Sequence, residues 1–295
     1  MKVFVFGRKI NPDQVSTIQR FLEKLAEENA DVHLYEPYIS ELRNHQLLDK
    51  DYPTISTTQE LRSLMPDFAI TLGGDGTILT AATVIKDTGI PVIGLNLGRL
   101  GFLASIEQKY IDQAFELLAQ GEYHLESRTL LRLSSNLPLF DDIPFALNDF
   151  TLLKRDNSSM IIIHTYLNGE FLNSYWADGL IVSTPTGSTG YSLSCGGPIV
   201  FPDSRSMVIT PVAPHNLNVR PIIIPDDSKI TFKVEGRTEN YLCTLDSRSE
   251  LITDQYQLEI NKCDFTINLV KLEGMSFART MRNKLLWGHD TRKFS

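Results

Sequence analysis

Cysteine is scarce in this chain: Cys195, Cys243 and Cys263 are odd in number, lie far apart and show no metal-ligand spacing. Such a set argues against a disulfide framework and fits reduced thiols, so a cytoplasmic protein is expected. Long hydrophobic runs are also lacking. Met1 to Gly7 is only strand-length, and no later run approaches the roughly 18 residues of a membrane span, so neither secretion nor membrane insertion is expected. Basic charge is in deficit, with 28 Lys and Arg against 36 Asp and Glu and a net charge of −8. Nucleic acid is therefore not an expected partner, and an anionic substrate would need local donors, helix ends and a divalent cation. Neither a G-x-x-x-x-G-K-[ST] loop nor a G-x-G-x-x-G after the first strand occurs, which disfavours the standard nucleotide-binding loops. Internal repeats and low-complexity segments are absent too. What remains is an ordinary globular composition, 42% hydrophobic and 22% charged over 295 residues, enough for about two domains.

The first part of the chain has a β-α rhythm. Val3 to Phe6 predicts a strand, with Asn11 and Pro12 opening a helix whose Val15, Ile18, Phe21, Leu22 and Leu25 share one face. Val32 to Tyr35 predicts a second strand, and Thr57-x-x-Glu60 a capping box for a helix through Met65. Phe68 to Leu72 and Ile90 to Gly94 predict further strands, separated by a helix from Thr77 to about Lys86. Alternation of this kind implies a parallel sheet covered by helices. After a helix that ends at Gly121 the period changes. Asn168-Gly169 is a hairpin signal, and Ile230/Phe232/Val234, Tyr256/Leu258/Ile260 and Phe265/Ile267/Leu269 each alternate with polar neighbours. These predict antiparallel strands of a β-rich, layered second domain. Ser276 then predicts the cap of a closing helix with Phe277, Met281 and Leu285 on one face, returning to the first domain. The expected domains are 1–121, with 273–295 packing back on it, and 122–272.

Three stretches carry chemistry. Gly73-Gly74-Asp75-Gly76-Thr77 sits where a strand ends and a helix begins. Glycines there let backbone amides approach a diphosphate, and the helix end adds a favourable field. Asp75 would repel that phosphate unless it held a metal ion or took a proton from an attacking hydroxyl. Taken alone, the five residues favour a surface turn in which Asp75 caps the helix. Asn96 to Leu103 is a second glycine-bearing loop after a strand, placed to share a ligand crevice with the first. There Arg99 reads as a solvated side chain or a phosphate contact, and Phe102 as packing on its own evidence. The polar, glycine-rich run from Ala177 to Pro198 is too long for a simple turn; its small hydroxyls and bare backbone suit adenine, ribose or phosphate, and Tyr191 could stack on a base. Asn148-Asp149 suits an adenine and a ribose diol, or forms a turn.

In this combination and order, the chain resembles the NAD kinase family of the bacterial ATP-NAD kinase type. Gly73 to Thr77 looks like that family's G-G-D-G-T motif, Asn148-Asp149 like its N-E/D pair, and Asp178 to Pro198 like its long T-P-T-G-S-T-A-Y-S motif. Asn96 to Leu103, Pro214 to Arg220 and the closing helix are similar as well. The resemblance implies a Rossmann-like N-terminal domain, an all-β sandwich C-terminal domain and an active site between them. The implied reaction is ATP + NAD → ADP + NADP, with Mg²⁺ or another divalent cation bridging the phosphates. Asp75 would take the proton of the adenosine 2′-hydroxyl, and Gly74 and Gly76 would admit the phosphates. Phe102 belongs to the implied nucleotide-binding set. Asn148 and Asp149 would hold the adenosine of NAD, Thr189, Gly190, Tyr191 and Ser194 would wall the adenine and ribose, and Thr186 belongs with Phe102 to the implied nucleotide-binding set. Asp178 would meet the nicotinamide end, and a neighbouring subunit would complete that part, so a homo-oligomer is implied.

Several positions depart from the commoner family pattern. Asp149 often appears there as glutamate, and Gly190 and Cys195 stand where alanine is frequent. Trp176 replaces a common arginine, and Arg248, in a slot often held by glutamine, is expected to restore a donor to the nucleotide. Two other classes stay in view. A non-catalytic NAD(P)-binding regulator would not need Asp75, and a lipid kinase would show an interfacial element that this chain lacks.

Overall fold

The computed structural model describes residues 1–98, 100–155, 160–236 and 240–287, so the two readings of Arg99 and the last eight residues of the closing segment lie outside it. The chain forms two compact units, one of residues 1–127 with 267–295 and the other of residues 128–266.

In the first unit the expected rhythm appears as β1 (Lys2–Gly7), α1 (Val15–Glu27), β2 (Asp31–Tyr35), α2 (Glu36–Asn44), β3 (Thr54–Ile55), α3 (Thr58–Leu64), β4 (Phe68–Leu72), α4 (Asp75–Ile85), β5 (Val92–Asn96), β6 (Ile106–Glu107) and α5 (Ile111–Gln120). The strands pair in parallel in the order β3-β2-β1-β4-β5. β1, β4 and β5 read as apolar runs because they are covered on both faces; Ile18, Phe21, Leu22 and Leu25 of α1 bury one face of the sheet. The Thr57 box forms as expected, with Thr57 Oγ1 accepting from the Glu60 amide at 3.2 Å and the Glu60 carboxylate accepting from the Thr57 amide at 2.9 Å. Helix α2 is not in the sequence reading. It begins straight after β2 with Pro37 in its first turn, and no polar cap precedes it.

The second unit contains β7 (Tyr123–Ser135, entering from the first unit), β8 (Phe145–Ala146), β9 (Asp149–Lys154), β10 (Ile161–Leu167), β11 (Glu170–Ala177), β12 (Gly179–Ser183), the single turn α6 (Tyr191–Ser194), β13 (Ser206–Val212), β14 (Ile222–Pro225), β15 (Ile230–Glu235), β16 (Tyr241–Leu245) and β17 (Arg248–Ile252). Antiparallel pairing gives one sheet in the order β14-β13-β12-β9-β16-β17, and β11-β10-β15 belong to a second layer. Phe150 and Phe232 stack at 5.4 Å in the core between these layers. The Asn168-Gly169 turn joins β10 to β11 with φ of 52° and 86°, as a two-residue hairpin of that sequence requires.

The chain then runs back to the first unit along β18 (Leu258–Leu272) and closes with α7 (Phe277–Leu285). Two expectations are corrected here. Tyr256 lies in the turn before β18, and the two alternating runs belong to one 15-residue strand. That strand pairs antiparallel with β15 at Leu258 to Ile260, but parallel with β5 at Leu269 opposite Val92. Alternation reports one wet face per strand and carries no information on the direction of the neighbour. Ser276 caps α7, its Oγ accepting from the Arg279 amide at 3.2 Å, and Phe277 packs on Phe102 of the first unit.

Candidate active site

Strand β1 has β2 on one flank and β4 on the other, so the order of crossovers reverses at the carboxyl ends of β1 and β4. Open α/β sheets bind ligands at such a reversal. β4 ends there in Gly73-Gly74, and α4 begins at Asp75. The Asp75 side chain does not cap its own helix. It crosses to the loop after β5, where Oδ1 accepts from the Leu103 and Ala104 amides, both at 3.0 Å, and Oδ2 from the Phe102 amide at 2.9 Å. Three backbone donors fix the carboxylate, yet the side chain keeps 28% of its surface exposed. A carboxylate held by three amides at a helix N-terminus and still part exposed is equipped to accept a proton.

The neighbouring glycines serve two purposes. At Gly101 a Cβ would stand 1.9 Å from Asp75 Oδ1, so only glycine lets the carboxylate lie on that loop. At Gly74 and Gly76, both exposed, a Cβ would meet no protein atom within 4 Å. Their bare surface leaves room for something other than protein. Phe102 enters this set through its amide; its ring is 6% exposed and packs at 5.9 Å against Phe277. The sequence reading places Phe102 in the nucleotide-binding set; here its amide holds the Asp75 carboxylate and its ring packs on the closing helix. No group of three or more His, Cys, Asp or Glu side chains is gathered to hold a metal ion among the described residues. With Asp75 engaged by amides, the donor set here fits a divalent cation that is carried mainly by phosphate oxygens.

In the second unit, Asn148 and Asp149 enter β9, and Asp246 organises them. Asp246 occupies the tight turn between β16 and β17 at φ 53°, and its carboxylate accepts from the amides of Leu147, Asn148 and Asp149 at 2.9, 2.7 and 3.2 Å. Thr184 Oγ1 donates to the Leu147 carbonyl at 2.6 Å, and Gly187 abuts the Asn148 carbonyl, where a Cβ would come within 2.0 Å. The backbone of this pair is thus fixed from both sides, while Asn148 Oδ1 is buried without a partner. Burial, and then the nearby charge of Asp246, push the Asp149 carboxyl up to about 7. Burial also pushes Asp246 upward, but the three amides and the Arg248 guanidinium pull it back. Because Asp246 accepts three amides and faces Arg248, a proton on this pair is favoured on Asp149, which can then donate as well as accept.

Gly190 completes this corner, since a Cβ there would lie 3.7 Å from both Asn148 Nδ2 and Asp149 Oδ2. Tyr191 and Ser194 of α6 are exposed, and Tyr191 bonds the Cys195 thiol. Thr189 is partly buried and donates to the Thr186 carbonyl at 3.2 Å. Thr186 is buried and its Oγ1 accepts from Arg128 at 3.3 Å. Asp178 forms an ion pair with Lys154 at 2.6 Å. Arg248, expected to offer a donor to the nucleotide, is engaged by backbone carbonyls. Its terminal nitrogens donate to the Ile143 carbonyl at 2.6 Å and to the Phe145 carbonyl, and its guanidinium lies over the Phe140 and Phe145 rings, so those donors brace the segment before Asn148. Trp176 is half exposed on β11.

Asp246, Thr184 and Gly101 were not assigned roles from sequence. Only the first carries a local signal, an aspartate in a two-residue turn between apolar strands.

The family model for the ATP-NAD kinase N-terminal domain matches residues 3–123, and that for the ATP-NAD kinase C-terminal domain matches 147–272. The NAD kinase of Cytophaga hutchinsonii is 47% identical over 287 residues, covering 97% of this chain and 98% of that protein. That of Bacteroides fragilis is 40% identical over 295 residues, covering 99% and 100%. Among solved structures, yeast NADH kinase complexed with NADH superposes with a TM-score of 0.87 at 25% identity, covering 100% of this chain and 90% of that one. The Archaeoglobus fulgidus NAD kinase, in complex with ATP, shares the fold with a TM-score of 0.72 at 24% identity, covering 97% of each chain. With both family models matched in chain order around the Asp75 turn and the Asn148-Asp149 corner, this chain belongs to the NAD kinase family.

Proposed function

We propose that this protein transfers the γ-phosphoryl group of ATP to the 2′-hydroxyl of the adenosine ribose of NAD, giving NADP and ADP, with Asp75 as general base. The observation that carries this reading is the Asp75 carboxylate, fixed by three amides beside two glycines whose bare faces meet no protein atom. Asp75 Oδ2 takes the hydroxyl proton as the 2′-oxygen bonds to the γ-phosphorus, and the bond from that phosphorus to the β,γ-bridging oxygen breaks. The exposed Gly74 and Gly76 let phosphates approach the start of α4. A divalent cation bound to those phosphates would neutralise part of their charge.

The partnerless Asn148 Oδ1 accepts from the adenine amino group, and Asp149 engages a ribose hydroxyl. Thr189, Gly190, Tyr191 and Ser194 line the same ligand. Asp178 turns from Lys154 toward the nicotinamide end. The chain acts as a homo-oligomer in the cytoplasm; its three free cysteines support the compartment. The function is tested by incubating the purified protein with NAD, ATP and Mg²⁺ and reading NADP through an NADP-specific dehydrogenase. Turnover supports the reading. Binding of NAD without turnover would favour a regulator that kept the pocket.

The Gly101 contact gives a sharper expectation. Gly101→Ala places a methyl on the Asp75 carboxylate and moves it off its amides, so kcat falls about 100-fold, the scale of a 1 Å misplacement. The KM for NAD is unchanged, since the Asn148 corner is built from other residues. Steady-state kinetics beside a thermal melt would reveal a folding defect if the loss had that origin.

A further inference from the structure

Helix α7 brings one charged group to Asp75. Phe277, in its first turn, sets its ring 5.9 Å from that of Phe102. Lys284 lies seven residues on, two turns along the same face, and its Nζ stands 4.8 Å from the Phe102 ring centre and 3.9 Å from Asp75 Oδ2. The docking of one aromatic pair thereby fixes where the ammonium rests. It covers Oδ2, the carboxylate oxygen that carries one amide where Oδ1 carries two.

A stabilising role does not account for this placement. The Lys284 side chain is 36% exposed and its partner 28%, and ion pairs of such exposure contribute little to folding. Neither is the contact a tight hydrogen bond at 3.9 Å. A lysine on a flexible four-carbon stem can swing its ammonium several ångströms, and the groups that would arrive beside Asp75 are polyanionic. The ammonium, 3.9 Å from Oδ2, occupies part of the space from which a hydroxyl would approach that oxygen.

We infer that Lys284 is a catalytic residue of the phosphoryl transfer: it rests beside Asp75 in the free protein and turns to the γ-phosphoryl oxygens when ATP binds. The inference rests on the reading of the chain as an NAD kinase. In the step itself the 2′-hydroxyl proton passes to Asp75, the 2′-oxygen bonds to phosphorus, and the departing bridging oxygen keeps the electron pair on ADP. Lys284 gives up no proton in the step and donates hydrogen bonds to the non-bridging oxygens, where charge gathers in the transition state. Its departure frees that space beside Oδ2 when the donor nucleotide is present.

The test uses the full-length protein with Lys284→Met, Lys284→Arg and, as a control, Arg282→Met, which removes an equal charge from an exposed position on the same helix. Lys284→Met is expected to lower kcat about 100-fold or more and to weaken ATP·Mg²⁺ binding about tenfold by calorimetry, with the KM for NAD within about twofold. Lys284→Arg restores at least about a tenth of kcat, and Arg282→Met matches the parent protein within about twofold. A Lys284→Met protein with parental kcat and ATP affinity, or an equal loss in Arg282→Met, overturns the inference. If the parent protein makes no NADP, the functional reading fails, and ATP affinity still decides this one: an unchanged Kd in Lys284→Met sinks it. Should methionine impair folding in the melt, Lys284→Gln carries the same expectations.

Discussion

Replacing Asp75 by Asn lowers kcat for NADP formation by about 10³-fold or more, while NAD binds within about threefold of its original affinity. The loss has two sources. An amide cannot take the 2′-hydroxyl proton, so the general-base contribution disappears. It also presents an NH₂ to the amides of residues 102–104, which offer only donors. Half of the former acceptor set is then a like-for-like clash, and the loop that held the base loosens. NAD affinity is preserved because Asn148, Asp149 and Gly190 stand on β9 and the turn after β12, braced by Asp246 and Thr184. The coupled assay gives the first quantity and calorimetry with NAD the second. Turnover within tenfold of the parent protein would remove Asp75 from the role of base.

The second large effect falls on stability. Asp246→Ala leaves the Leu147, Asn148 and Asp149 amides without their acceptor at a partly buried turn, a destabilisation of about 3 kcal/mol. Thermal melting should move down by about 10 °C or more, and NAD affinity should fall with it, because these amides set the direction of the Asn148 and Asp149 side chains. Asp246→Asn keeps one acceptor oxygen and should lose less. The same corner predicts a pH dependence. Asp149 titrates near 7 in the folded protein but near the ordinary carboxylate value of ~4 when unfolded. Between those values the folded state holds a proton that the unfolded chain has released, so this group's contribution makes stability fall as pH rises from ~4 to about 7 and level off above. Asp149→Asn lacks that penalty. Its stability relative to the parent protein should climb across the same window, as read from denaturant midpoints at a series of pH values; a difference that stays flat would mean Asp149 is ionised in the fold.

Much of this molecule was legible in order along the chain. The β-α rhythm, the Thr57 capping box, the Asn168-Gly169 hairpin and the Ser276 cap all depend on interactions within a few residues, and each formed as its local chemistry dictates. The G-G-D-G-T turn and the long hydroxyl-rich run named the family because many residues in one register carry more information than any single contact. What local chemistry could not supply is the set of partners each side chain meets. Asp75 reads by itself as a cap of its own helix, yet its side chain accepts from the amides of the loop at 102–104, 27 to 29 residues on. Arg248 reads as a free donor, yet carbonyls more than 100 residues earlier in the chain engage it. The run from Phe265 to Leu269 reads as antiparallel, because alternation records which side chains are wet and says nothing of the neighbouring strand. Lys284 is one of several exposed-looking cations at the end of the sequence until Phe277 docks on Phe102 and carries it to the carboxylate. Periodicity, caps and motifs are properties of a chain segment and are written in its residues. Hydrogen-bond acceptors, ion-pair partners and raised carboxyl groups are properties of a place in space, and that place exists only once distant segments have packed together.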